Sequence, residues 1–210
     1  MGTRTSYESL SYRPLTAPKL SFSDGISERG EGRVVDPNVY LVDCFRLARK
    51  IWDDGCRPDF LVAVWRGGAQ PAIVIQEFFR WKGHDPYHTA IRKESHKGAA
   101  FGGGIDIKGL DHVLDVVETS DELLIVDDVF GNGRNIYEVV SYLRRKARRN
   151  VPEVRVATVY FHPARQRFGA GPNYYLHEGE NALLLPNRLS NISEEEILLP
   201  YPELHGSLYG

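Results

Sequence analysis

Cysteine is scarce in this chain of 210 residues. Cys44 and Cys56 are the only two, too few for a disulfide framework, and a reducing compartment suits them better. A large excess of charge is also missing. The formal net charge is −2, so general binding to nucleic acid or to an anionic membrane surface has no electrostatic support. No apolar run is long enough to cross a bilayer, and no segment reads as a signal peptide. The seven histidines make no metal-ligand spacing, which argues against a zinc site. Gly-x-x-x-x-Gly-Lys-Ser/Thr is absent, as is a Gly-x-Ser-x-Gly elbow, so neither a P-loop nor a serine-hydrolase turn is present. There is no internal repeat. What remains is a globular composition, 42% hydrophobic and 26% charged, and enough chain to bury a core. A cytoplasmic enzyme or binding protein is expected.

The order of segments predicts an α/β fold. Residues 1–33, rich in Ser, Gly, Arg and Tyr, lack periodicity and are expected to form a flexible N-terminal arm. Asp36-Pro37 opens a helix carrying Tyr40, Leu41, Cys44, Phe45, Leu47, Ala48, Ile51 and Trp52 at helical spacing. Phe60 to Trp65 reads as a buried strand, and Arg66-Gly67-Gly68 as a loop leading to a helix from Gln70 to Trp81. A strand over His88–Lys93 precedes a glycine-rich stretch from Glu94 to Gly104, long enough for a lid. Further strands are expected at Ile105–Gly109, Glu122–Val126, Val154–Phe161, Asn173–Leu176 and Leu183–Leu185. Helices are expected over Leu110–Val117, over Asn135–Arg149, and after Ser193 as N-cap. The cations Arg144-Arg145-Lys146 match the C-terminal end of the second of these and read as a solvated face. Alternating strands and helices imply an open parallel β-sheet with helices on both faces, whose ligands sit at the carboxyl ends of the strands.

Two loops fall at such ends. Leu123 to Val126 delivers Asp127 and Asp128, then Gly131-Asn132-Gly133, then a helix start at Arg134 and Asn135. Consecutive residues of a strand point to opposite sides, but at a strand end one or both acids can turn to a ligand. Carboxylates suit ribose hydroxyls, or Mg²⁺ held through oxygens. A helix N-terminus with glycines before it offers backbone N–H groups to an anion. The other loop puts Arg66, a fork-shaped donor, beside Gly67 for a second phosphate group. The acids precede the glycines, the reverse of the dinucleotide-binding order.

Together these residues resemble the type I phosphoribosyltransferases, most of all the hypoxanthine and xanthine-guanine branch. The likeness runs from about residue 34 to 200. It rests on Leu124 to Ile136, on Val64-Trp65-Arg66-Gly67-Gly68, and on Ala157 to Pro163 with Pro172-Asn173-Tyr174-Tyr175. It implies a phosphoribosyltransferase domain over 34–200, a small hood drawn largely from 162–200, and a tail at 201–210. It implies phosphoribosyl pyrophosphate and a nucleobase-like acceptor as partners, Mg²⁺ as cofactor, and a homodimer or homotetramer. Asp127 and Asp128 would bind the ribose hydroxyls and, indirectly, the metal. Gly131, Asn132, Gly133, Arg134 and Asn135 would hold the 5′-phosphate, and Arg66 with Gly67 the pyrophosphate. His162, Tyr174 and Tyr175 would meet the base, and Ser95 to Gly104 would be the lid. Asp127, Asp128 and Arg66 would carry the catalysis.

Departures cluster on the base side. The family's phosphate loop usually reads Asp-Thr-Gly-x-Thr or Asp-Ser-Gly-x-Ser. Gly131 stands where the acid that meets purine N7 would be, and Asn132 and Asn135 replace the hydroxyls. His162 replaces the Lys that meets the purine carbonyl, the hood lacks its Trp, and Lys93-Glu94-Ser95-His96 alters the lid. The core strands keep their apolar character. The expectation is a transferase whose acceptor is purine-like but not an ordinary 6-oxopurine. The alternatives are a standard purine salvage enzyme and a non-catalytic nucleotide or phosphosugar sensor.

Overall fold

The computed structural model describes residues 26–29, 32–95, 105–179, 182–186, 193–198 and 201–209. In chain order the elements are β1 (Ile26–Arg29), β2 (Gly32–Val35), α1 (Pro37–Asp53), β3 (Phe60–Val64), α2 (Ala69–Trp81), β4 (Tyr87–Ser95), β5 (Ile105–Lys108) and α3 (Asp111–Leu114). Then come β6 (Glu122–Phe130), α4 (Arg134–Ala147), β7 (Glu153–Phe161), β8 (Tyr174–Glu178), β9 (Ala182–Leu184), α5 (Glu194–Leu198) and α6 (Pro202–Tyr209).

Six strands form one sheet in the order β5-β4-β3-β6-β7-β8. All neighbours are parallel except β5, which pairs antiparallel to β4. The central strand β3 is Phe-Leu-Val-Ala-Val and is buried on both faces, as a sheet covered twice requires. One face packs α1 and α2 through Tyr40, Cys44, Leu47, Ile51, Ile75 and Phe79. The other packs α3 and α4 through Val113, Ile136, Val139 and Leu143. Fully burying a Leu or Ile stabilises the fold by about 1.5–3 kcal/mol, so either face is a large term. Asp36 caps α1 by accepting the N–H groups of Asn38 and Val39 at 2.8 and 3.1 Å, with Pro37 opening the helix. Arg144, Arg145 and Lys146 are exposed at the end of α4. No helix among the described residues is long and apolar enough to cross a membrane.

A second sheet, β1-β2-β9, draws on both ends of the chain. It revises the expected arm: residues 26–29 and 32–33 are paired β-structure, while residues 1–25 and 30–31 lie outside the described residues. β2 runs parallel to β9, from Gly32 opposite Ala182 to Val34 opposite Leu184. Most of the expected tail forms α6, and the buried Tyr201 just before it donates its hydroxyl to the Val35 carbonyl. The expected lid, Ser95 to Gly104, lies outside the described residues over 96–104, and so do residues 180–181, 187–192 and 199–200 of the expected hood.

Candidate functional site

β6 is longer than its apolar run suggests. Its pairing with β7 continues through Asp127 opposite Thr158 to Phe130 opposite Phe161. The acid pair therefore lies inside a strand instead of at its end, and alternation sends the two carboxylates to opposite faces. Asp127, 5% exposed, lines a cleft of about 320 Å³. Asp128, fully buried, lies against Gly67, where an added Cβ would run into its carboxylate.

The same cleft is lined by Gly131, Asn132, Gly133, Asn135 and His162. The acid and the glycine-bearing bend thus lie beside each other. Gly133 takes φ +82°, and a Cβ there would collide with the Phe168 carbonyl, so glycine is required on two counts. The Asn132 carbonyl accepts the N–H groups of Arg167 and Phe168, both at 3.0 Å, which fixes the bend from behind. The first bond within α4 runs from the Tyr137 N–H to the Gly133 carbonyl at 2.9 Å. Asn135 and Ile136, which precede it, carry the amides a helix leaves for an outside acceptor, and both line the cleft.

Arg134 is used differently from expectation. Its backbone N–H donates to Asn132 Oδ1 at 3.0 Å and its Nε to Glu138 Oε1 at 2.7 Å, so it ties the bend to the first turn of α4 beside the cleft. Glu138 also accepts from Lys93 Nζ at 2.6 Å. Burial works to raise the Glu138 pKa, but the hydrogen bonds from Lys93 and Arg134 outweigh it and hold it below its ordinary value.

Arg66 stands exposed on the loop after β3, next to the cis Trp65–Arg66 peptide. The loop is held by the Gly68 N–H on the Val64 carbonyl at 2.8 Å and the Ala69 N–H on the Arg66 carbonyl at 3.1 Å. Gly68 has no room for a side chain because the Val126 carbonyl occupies it. The two loops are thus joined through the body of β6: Gly68 on Val126, Gly67 on Asp128.

Tyr174 and Tyr175, expected at a base, are not among the residues that line this cleft. The register pairs them with Ala157 and Thr158, well before the carboxyl end of β7. Tyr174 is buried and donates to Asp54 Oδ2 while accepting from Arg155 Nη1, both at 2.7 Å. Tyr175 donates to Glu178 Oε1 at 2.6 Å. At the level of the cleft, β8 instead presents Glu178, opposite Phe161, and the following Gly179. His162 Nδ1 meets the Gly179 carbonyl. A carbonyl only accepts, so Nδ1 is the donor in this contact.

Arg165 and Leu183 also line the cleft and were not anticipated. Arg165 closes the one-turn 3₁₀ helix Pro163–Arg165, three residues past His162. A cation so close to the expected base residue was a usable signal. Leu183 arrives from β9, and nothing local in the sequence points to it. Among the described residues, no three His, Cys, Asp or Glu side chains converge on a metal site.

No protein-family model matches the chain, and no curated protein matches it. By structure it is similar to the purine phosphoribosyltransferase from Pyrococcus horikoshii Ot3, at 19% identity and a TM-score of 0.58, over 75% of this chain and 94% of that one. It is similar to a hypothetical protein from Neisseria gonorrhoeae with bound ppGpp, at 18% identity and 0.56, over 80% and 94%. It is similar to the Helicobacter pylori xanthine-guanine-hypoxanthine phosphoribosyltransferase, at 15% identity and 0.53, over 73% and 90%. The shared feature is the open, mostly parallel sheet with helices on both faces, the type I phosphoribosyltransferase fold.

Proposed function

We propose that this protein is a phosphoribosyltransferase acting in the cytoplasm. It would move the 5-phosphoribosyl group of phosphoribosyl pyrophosphate to a nitrogen of a purine-like heterocycle. The observation that carries this reading is one cleft lined by both the Asp127 carboxylate and the 131–136 bend. The bend suits a terminal phosphate and the carboxylate a ribose diol. In the reaction, the bond from the anomeric carbon to pyrophosphate breaks and its electron pair leaves with pyrophosphate. The acceptor nitrogen forms the new bond and sheds its proton to water. Asp127 places negative charge near a sugar carbon that becomes cationic, and Arg66 with the neighbouring amides receives the charge on pyrophosphate. Mg²⁺ takes oxygen ligands and binds through one or two carboxylates plus substrate phosphates, so Asp127 fits it as a donor. When bound, it neutralises the departing pyrophosphate.

The acceptor side is where this chain differs. Gly131 offers no acid to a purine N7, and His162, with Nδ1 held by the Gly179 carbonyl, offers an acceptor at Nε2 whenever its ring is neutral. A ring carbonyl needs a donor, whereas an amino group donates. This supports a base with an amino group at that edge over hypoxanthine, guanine or xanthine. The assay is pyrophosphate release from protein, donor, Mg²⁺ and a panel of amino- and oxo-substituted heterocycles. Turnover with an amino-substituted base is the expected result. Absence of turnover with every heterocycle, despite donor binding, overturns it.

That outcome would favour a second reading, a nucleotide sensor without chemistry. The Neisseria gonorrhoeae protein of similar fold with bound ppGpp, and the missing acid at Gly131, speak for it. Self-association also belongs to the proposal: Leu41, Val42 and Phe45 on α1 and Ile73 on α2 are exposed apolar side chains. Sedimentation at micromolar concentration should give a dimer or tetramer, and charged substitutions at Phe45 and Ile73 should shift it toward monomer.

A further inference from the structure

Two residues that depart from the resembled family touch each other. Lys93, on β4, donates to Asn135 Oδ1 at 2.7 Å and to Glu138 Oε2 at 2.6 Å, across a sequence separation of 42 residues for the first pair. Lys93 is one-quarter exposed and Glu138 one-tenth, so the cluster is part-sheltered from water.

An ammonium group only donates. The amide of Asn135 must therefore turn its oxygen to Lys93, because the flipped amide would set N–H₂ against NH₃⁺. Oxygen and nitrogen sit at opposite corners of the same planar group. With Oδ1 held by Lys93, Nδ2 is the corner left for the cleft that Asn135 lines. We infer that Lys93 is a positioning residue: it orients the Asn135 amide so that donors, and not a carbonyl oxygen, face a bound phosphate. The inference rests on the reading of the 131–135 bend as a phosphate site.

The physical need for it follows from the Asn itself. A Ser or Thr hydroxyl rotates to donate to whatever acceptor arrives. An amide has a donor end and an acceptor end, and the wrong end repels a phosphate oxygen. Replacing a hydroxyl by Asn135 therefore creates an orientation requirement, and Lys93 meets it. Glu138 balances the Lys93 charge and ties it to α4, where Arg134 Nε also reaches Glu138, at 2.7 Å.

The test is a double-mutant cycle read by calorimetric titration with ribose 5-phosphate. Lys93→Met should weaken binding about tenfold, the scale of one re-aimed charged hydrogen bond. Asn135→Ser sets a second baseline, on which adding Lys93→Met should change binding by less than about twofold, because a hydroxyl needs no orienting. Lys93→Arg, which keeps a donor, should restore most of the wild-type affinity. An equal loss from Lys93→Met in both backgrounds would mean that Lys93 acts only as a distant cation, and overturns the inference. A second readout is independent of phosphate. The side-chain amide NMR signals of Asn135, assigned by their loss in Asn135→Ser, should shift in ligand-free Lys93→Met. Unmoved signals overturn the positioning role. Wild-type protein that fails to bind ribose 5-phosphate while the signals do shift would instead overturn the phosphate reading alone.

Discussion

Gly67 rests directly on the carboxylate of Asp128, so closely that a Cβ on the glycine would overlap it. This contact joins the loop bearing Arg66 to the strand bearing Asp127. Gly67→Ala forces the loop or the acid to move. Overpacking of this kind costs about 1–3 kcal/mol. Urea denaturation should show that loss, together with weaker pyrophosphate binding in calorimetry. Unchanged stability would mean that the loop lifts freely from β6.

The acid pair should divide by role. Asp127 lines the cleft, whereas Asp128 is fully buried and its Oδ1 accepts the Val129 N–H at 2.7 Å. Asp127→Asn should lower kcat/KM for the donor by about tenfold or more with little change in Tm. Asp128→Ala removes a buried acceptor and should cost about 1–3 kcal/mol in denaturant titration. If the two variants show the same profile, the division is wrong.

Gly131→Asp tests the acceptor. A Cβ at Gly131 has nothing within 4 Å, so the acid can be installed without strain. Steady-state rates with hypoxanthine and guanine should rise at least about tenfold over the parent protein, as general acid–base assistance usually gives. If 6-oxopurine rates barely move, the glycine does not set acceptor choice.

Cys44 and Cys56 should be inert. Both are buried, and burial pushes each thiol up to about 12. Asp43 and Asp128 add to the shift at Cys44, and the hydrogen bond to Glu122 at 3.2 Å adds to it at Cys56. The thiolate is the reactive form. Iodoacetamide at pH 8 should leave the native protein unlabelled by mass spectrometry and label both sites after denaturation. The sign of the linked stability follows. Folding favours the protonated thiols, so their contribution is complete below the ordinary value of 9.0 and is lost as pH rises from there toward about 12. Alkaline titration should show destabilisation in that window.

Much of the site was readable because its parts are neighbours in sequence. Asp127 and the 131–135 bend share one strand–turn–helix unit, and local chemistry alone sets them side by side. The helix of Tyr40, Cys44, Leu47 and Ile51 was equally plain, because its stripe reports a period. The positions of Tyr174 and Tyr175 were not legible because a strand's register is decided by pairing, and no run of residues encodes that β8 meets β7 at Ala157. The extension of β6 past Val126 has the same origin. Lys93 at Asn135 and Leu183 at the cleft are contacts between distant segments, and they appear only once the sheet is assembled.

The pairing of Gly32–Val34 with Ala182–Leu184 also dictates an order of events during synthesis. The acids and the bend leave the ribosome long before Leu183 does, and non-local partners close last. A nascent chain therefore presents Asp127 and the 131–135 bend before Leu183 can join them in lining the cleft.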